Sequence, residues 1–311
     1  MATFKFTTLD SDCITDDGKI GVAEPDLNVP ILAKEVFYQA TPNLITEQVA
    51  TIIRDPGVIP GKTISFLRYR NLVMGGQLDD SCHDIPVEDI ATDKVEITVH
   101  PQGGGVGFSE YDLRLAADDL LTRGAELLGA RYATVRDKQG IDTLLTASTT
   151  LYQGGAASRD ALTPDDTITV DDMRMVWREL ARKDAIQFDN KYFVAIMHPD
   201  VAYYLKGDPT YRQDMRYAQP MSLLRGEFGT VEGIICVTST QIEPVVDSGG
   251  LRIYPTIIVG ANAVGLAVAL DVAVKFNALP NFGLIVALAW YGIWGWGIIN
   301  DDHIVILETA A

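Results

Sequence analysis

The run from Ser109 to Ser148 constrains this chain more than any other stretch, because it is the longest proline-free segment with helical periodicity. Leu113, Ala116, Ala117, Leu120, Leu121, Gly124, Leu127, Leu128, Tyr132 and Val135 recur at three-and-four spacing, which gathers them into one stripe. Ser109 and Asp112 form a capping pair, and Glu110/Arg114 and Asp119/Arg123 are favourably oriented i,i+4 pairs on the charged face. One continuous helix would reach roughly 60 Å at 1.5 Å per residue. A compact chain of this length is only about 50 Å across. Either the helix breaks, with Gly124, Gly129 and Gly140 as the candidate positions, or the molecule is flat and extended with the helix as its beam.

Upstream of that run, residues 1–50 are punctuated by Pro25, Pro30 and Pro42 and carry the acidic cluster Asp10, Asp12, Asp16 and Asp17. They read as an arm, with a short helix opening near Pro30. The acids lack the offsets of a calcium loop and read as a solvated face. Lys62 to Leu72 and Asp93 to Val99 alternate as half-buried antiparallel strands, with Ile64, Phe66, Arg68 and Arg70 on one face of the first and Val95, Ile97 and Val99 on one face of the second. The polar stretch between them, Met74 to Thr92, is long for a hairpin loop, so the pair reads as a projecting two-stranded arm. An isolated hairpin is marginally stable in water. It therefore needs a surface to lie on, and in a homo-oligomer that surface belongs to a neighbour. Gly103-Gly104-Gly105 matches neither the dinucleotide nor the P-loop fingerprint and reads as a hinge.

Downstream, Val170 to Lys183 is a second amphipathic helix with Met173, Val176, Trp177 and Leu180 inward. Tyr192 to Met197 is a buried strand. His198-Pro199-Asp200 marks its end and the start of a helix through Leu205. Short strands at Gly226 to Val237 and Tyr254 to Leu270 complete an α+β region over residues 186–277. Phe282 to Ile299 carries no charged residue and meets the crude criterion for a membrane span. Gly292, Gly295 and Gly297 interrupt it, however, and its tryptophans lie inside it rather than at its ends. The preferred reading is two antiparallel core strands, the second at His303 to Leu307.

Chemistry is hard to find. The four histidines are scattered, the three cysteines (Cys13, Cys82, Cys236) suggest neither a disulfide framework nor a zinc cluster, and no nucleophile elbow occurs. No catalytic, cofactor-binding or metal-binding residue is assigned. A net charge of −17 argues against a free-standing nucleic-acid binder, and the N-terminus has no secretory pattern.

The order of these elements, together with Gly61-Lys62-Thr63-Ile64, Arg68-Tyr69, FVAIMHPD (Phe193 to Asp200), LKGDP (Leu205 to Pro209), Gly226-Glu227-Phe228-Gly229, Val231-Glu232-Gly233 and YPTIIVGANAVG (Tyr254 to Gly265), resembles tailed-phage major capsid proteins. The likeness is to the α+β Hong Kong ninety-seven-type fold, in the branch typified by phage N-four, and covers about Leu44 to Thr309. It implies an N-terminal arm at 1–55, an extended hairpin loop at 56–108, and a peripheral domain with a spine helix at 109–185. An axial domain follows at 186–277, and the return strands of the peripheral domain at 278–311. It further implies a non-enzymatic virion subunit, made in the host cytoplasm, that assembles with itself as hexamers and pentamers around double-stranded DNA. Contact with that DNA would be weak and non-specific. Portal, scaffold and decoration proteins would be further partners, and no membrane or cofactor is implied. Arg68, Arg70 and Met74 are the candidate intersubunit contacts. The rival readings are an encapsulin-like compartment shell, a membrane-anchored protein using Phe282 to Ile299, and a metal-dependent hydrolase using the Asp10 to Asp17 cluster.

Overall fold

A computed structural model of the chain describes residues 45–54, 63–69, 87–115, 120–211, 230–278 and 284–310. The chain enters through a short helix α1 (Thr46–Val49) and β1 (Thr51–Arg54), followed by β2 (Thr63–Tyr69) and β3 (Thr92–Thr98). Strand β4 (His100–Ser109) runs into α2 (Glu110–Leu115) and the long α3 (Leu120–Leu144). After β5 (Thr150–Tyr152) come α4 (Val170–Arg182), β6 (Phe193–Met197) and α5 (Pro199–Gly207). Strands β7 (Thr230–Val231), β8 (Ile234–Thr238), β9 (Val245–Val246), β10 (Arg252–Val259), β11 (Val264–Ala278), β12 (Ile285–Ile298) and β13 (Ile304–Ala310) complete it.

Two sheets organise these elements. One has the order β1-β11-β12-β4; the other runs β5-β13-β10-β6-β8-β7, with β9 also on β10. Helix α3 ties them together. Its first half sets Ala125, Leu128, Tyr132 and Ala133 against Leu266, Leu288, Trp290 and Trp294 of the first sheet. Its last turns set Ile141 and Leu144 against Val194, Ile196, Ile257 and Ile306 of the second. The opposite face of the second sheet is covered by α4 and α5 through Met173, Val176, Leu180, Val201 and Leu205. At 25 residues α3 spans roughly 37 Å, which fits within a compact chain of this length, so its length no longer demands a flat molecule.

Several expectations change. Ser109 belongs to β4 and α3 stops at Leu144, so the helix is shorter than its periodicity suggested. The three glycines do not break it. A Cβ on Gly124 would lie 2.6 Å from the Phe108 ring, and one on Gly140 2.7 Å from Thr46 Oγ1, so both positions admit close neighbours. Leu127, counted in the stripe, is 71% exposed. Trp177 is half-exposed rather than inward, while Met173, Val176 and Leu180 are fully buried. Gly103 to Gly105 form part of β4, paired with Ala289 to Tyr291 of β12, and are not a hinge. The apolar run at the C-terminus is strand β12; no helix among the described residues is long and apolar enough to cross a membrane. Nor do the two closing strands pair with each other: β12 lies between β11 and β4, whereas β13 lies between β10 and β5. The short 3₁₀ turn Asp301–His303 carries the chain from one sheet to the other.

Other expectations hold. β2 and β3 pair antiparallel as expected, in a register that sets Phe66 opposite Val95 and Arg68 opposite Asp93. α4 opens with a capping box of Thr169 and Asp172. His198 caps α5, whose first residue is Pro199. The Asp10 to Asp17 cluster, the arm helix near Pro30, Asp119 of the Asp119/Arg123 pair and the Gly226 to Gly229 motif lie outside the described residues.

Candidate interaction surfaces

Among the described residues no three His, Cys, Asp or Glu side chains gather to hold a metal. His303 is buried, with Nδ1 2.7 Å from the Ala261 carbonyl, and His198 accepts from the Asp200 N–H at the start of α5. Burial pushes the Cys236 thiol up to about 12, which keeps it protonated and inert. What the chain offers is surface.

The β2–β3 ribbon has two unlike faces. Ile64, Phe66, Val95 and Ile97 point inward and pack on Ala267, Ile293 and Ile299, on the face of the first sheet opposite α3. Glycines make this possible. A Cβ on Gly297 would lie 2.7 Å from Ile97, and one on Gly295 2.2 Å from the Thr98 carbonyl oxygen. The expectation that the ribbon must wait for a neighbour is thus corrected, because its own sheet covers the inner face. The outer face remains open. Leu67 and Tyr69 are 64% and 67% exposed, and Val87 and Ile90, just before β3, 88% and 70%. Large apolar side chains exposed together mark an interaction surface.

Arg68 lies on the inner side of the ribbon, where its Nη1 donates to Asn300 Oδ1 at 3.1 Å within the same chain. It borders a cleft of about 640 Å³ lined also by Tyr69, Lys183, Asn262, Asp302 and His303. Arg70 and Met74 lie outside the described residues. Tyr111 on α2, Leu127 on α3 and Leu284 before β12 are also exposed, and a bond from Glu110 N–H to the Leu284 carbonyl ties the start of α2 to the start of β12.

The sequence reading missed the charged pair Arg136–Asp137, buried on α3 at 3% and 0% exposure. Asp137 Oδ1 accepts from the N–H groups of Ile45 (3.1 Å) and Thr46 (2.9 Å) and from Thr46 Oγ1 (3.0 Å). Its Oδ2 accepts from Gln241 Nε2 at 3.0 Å. α1 has no side-chain cap of its own, so a carboxylate 91 residues away supplies one. Arg136 Nη2 pairs with Glu47 Oε1 at 3.0 Å, while Nη1 donates to the Tyr132 hydroxyl. Burial raises the Tyr132 phenol above its ordinary value, against the opposing Arg136 charge. A signal was present: stepping four residues from Leu128 and Tyr132 lands on Arg136, a charge in the apolar stripe.

No family model matches the chain, and no curated protein does. Solved structures do. The capsid of Ralstonia phage GP4 superposes with a TM-score of 0.71 at 14% identity, over 85% of this chain and 87% of that one. The cyanophage Pam1 capsid also gives 0.71, at 17% identity over 100% and 99%. The capsid of the native GTA particle gives 0.61 at 14% identity over the whole of both chains. What is shared at these identities is the fold, the α+β architecture of the Hong Kong ninety-seven type.

Proposed function

We propose that this chain is the major capsid subunit of a tailed phage, assembling with itself as hexamers and pentamers into an icosahedral shell around double-stranded DNA. The observation that carries the reading is the end-to-end fold match, which with the Pam1 capsid spans 100% of this chain and 99% of that one. The physics of the subunit supports it. A shell protein needs broad contacts with copies of itself, and a heterologous contact whose rotation closes makes rings. Here Leu67 and Tyr69 on the outer face of the ribbon, Val87 and Ile90 before β3, and Tyr111, Leu127 and Leu284 are all exposed.

In this reading residues 1–55 are the N-terminal arm, 56–108 the extended loop, 109–185 the peripheral domain with α3 as spine, 186–277 the axial domain and 278–311 the return strands. Arg68, Arg70 and Met74 are the proposed intersubunit contacts, Arg68 through the cleft that it borders beside Asn300. The quoted motifs support the phage N-four-like branch. The role is structural, with no reaction to catalyse. A net charge of −17 makes contact with packaged DNA weak and the shell lumen neutral or acidic. Portal, scaffold and decoration proteins are the further partners, and assembly takes place in the host cytoplasm.

Electron microscopy of the purified protein tests the proposal. Closed shells of megadalton mass are expected, and DNA inside native particles distinguishes a virion from an enzyme-loaded compartment. A protein that stays a monomer at high concentration refutes it, and a lumen lined with Lys and Arg refutes the charge argument.

A further inference from the structure

One turn of α3, Arg136 to Gln139, grips four different parts of the chain. Arg136 pairs with Glu47 of α1 and lies 3.8 Å from Asp271 of β11. Lys138 Nζ donates to the Gln241 carbonyl at 3.3 Å and to Glu243 Oε1 at 2.9 Å. Gln139 Oε1 accepts from Trp294 Nε1 of β12 at 2.8 Å. The turn sits where α3 changes partners, since Ala125 to Ala133 lie against the first sheet and Ile141 and Leu144 against the second. Asp137 is the member whose two oxygens serve different sheets. Oδ1 takes three donors from Ile45 and Thr46, at the start of α1, which leads into β1 at the edge of the first sheet. Oδ2 takes Gln241 Nε2, from the segment that follows β8 of the second sheet, where Ile242 is fully buried beside Ile141 and Leu144. A carboxylate without exposure is costly unless its donors stay in place. Opening on either side admits water to the carboxylate, and water then competes for the donors that remain.

We propose that Asp137 is a shared acceptor that couples the two sheets: α1 keeps its place only while Gln241 keeps its own, and a displacement at the edge of the first sheet reaches residues 239–243 of the second. The coupling is reciprocal, because a free energy shared by two sites acts equally on both. Asp137 is thus a positioning residue that acts through Thr46 on one side and Gln241 on the other. Lys138 strengthens the second grip, holding the backbone of the residue whose side chain Asp137 holds. The device belongs to the single chain and does not rest on the capsid-subunit reading.

The test is hydrogen exchange, read by mass spectrometry, on the full-length chain. Thr46→Val and Gln241→Met each remove one donor to Asp137 while nearly keeping the size of the side chain. Each is expected to quicken exchange about fivefold in its own segment, 45–54 or 239–243, and about threefold in the other, with β10 and β13 unchanged. Thr46→Ser drops a methyl group but keeps the hydroxyl donor, and should leave 239–243 within about twofold of the unsubstituted protein. Should one variant fail to fold, the other still decides, because each is read in the segment it does not touch. Acceleration confined to the substituted segment overturns the coupling, and so does equal acceleration throughout the chain. If Thr46→Ser loosens 239–243 as much as Thr46→Val does, the link runs through packing and the role given to the carboxylate falls.

Discussion

Substituting Gly295 with alanine should prise the β2–β3 ribbon from its sheet while leaving the rest of the chain folded. The added Cβ would sit 2.2 Å from the Thr98 carbonyl oxygen and 3.0 Å from its carbon, both backbone atoms that cannot swing aside. Carbon approaches a carbonyl oxygen no closer than about 3.3 Å, so β3 must retreat by roughly 1 Å. A gap of that size already forfeits a quarter to a half of each dispersion contact. The side chains at stake are Phe66 and Ile97, 4% and 2% exposed. Each is worth about 1.5–3 kcal/mol when buried, which sets a ceiling near 3–6 kcal/mol for full detachment. Strain without detachment costs about 1–3 kcal/mol. A local loss of about 3 kcal/mol satisfies both bounds and corresponds to roughly hundredfold faster hydrogen exchange in β2 and β3. Limited proteolysis between β1 and β3 should quicken in parallel. Gly207→Ala is the control, because nothing lies within 4 Å of a Cβ there. Unchanged exchange in β2 and β3 of the Gly295→Ala protein would show that the ribbon does not lie in the glycine slot, and the argument from close approach would fall.

Ile141→Ala should destabilise the whole chain by about 2–5 kcal/mol, since the side chain is fully buried where α3 meets the second sheet; chemical denaturation measures this. Cys236 should resist thiol reagents at pH 8 in the folded protein and react after unfolding, as peptide mapping would show; rapid native labelling contradicts its burial. Burial alone would raise the Asp208 carboxyl, but N–H donors of Val170 and Thr210 outweigh it and hold the group below its ordinary value. Its stabilising contribution is therefore complete above the unfolded value of 3.8 and is lost as pH falls through the lower folded value. Asp208→Asn should accordingly flatten the acid limb of a pH–stability curve, and an unchanged limb counts against the stabilising role of these two backbone bonds.

Some of the molecule was legible from neighbours in the chain. The three-and-four spacing around Leu128 and Tyr132 foretold α3, and the alternation of Ile64 with Phe66 and of Val95 with Ile97 foretold the ribbon, whose register only the structure shows. The spacing of Met173, Val176 and Leu180 announced α4. Errors arose wherever the environment outranked the pattern. Leu127 fits the apolar stripe and Trp177 fits the inner face of α4, yet the sheets do not reach them. Glycines at 103–105 read as a hinge because glycine is permissive, but the β12 backbone at Ala289 to Tyr291 pairs them into a strand. The candidate site shows the same division: Arg68 was visible as a strand cation, whereas its bond to Asn300 joins residues 232 apart.

Taken alone, the order of residues determined which segments coil and which extend, because helix and strand formation depend on side chains within four positions of one another. Tertiary structure decided which strands meet. An apolar strand such as β12 is equally satisfied by any partner of matching length, so its place beside β4 rather than β13 follows from the turn at Asp301–His303 and from α3 lying across both sheets. Tertiary structure likewise gave Asp137 its task, since the amides of Ile45 and Thr46 reach that carboxylate only after α1 has been laid against Gly140.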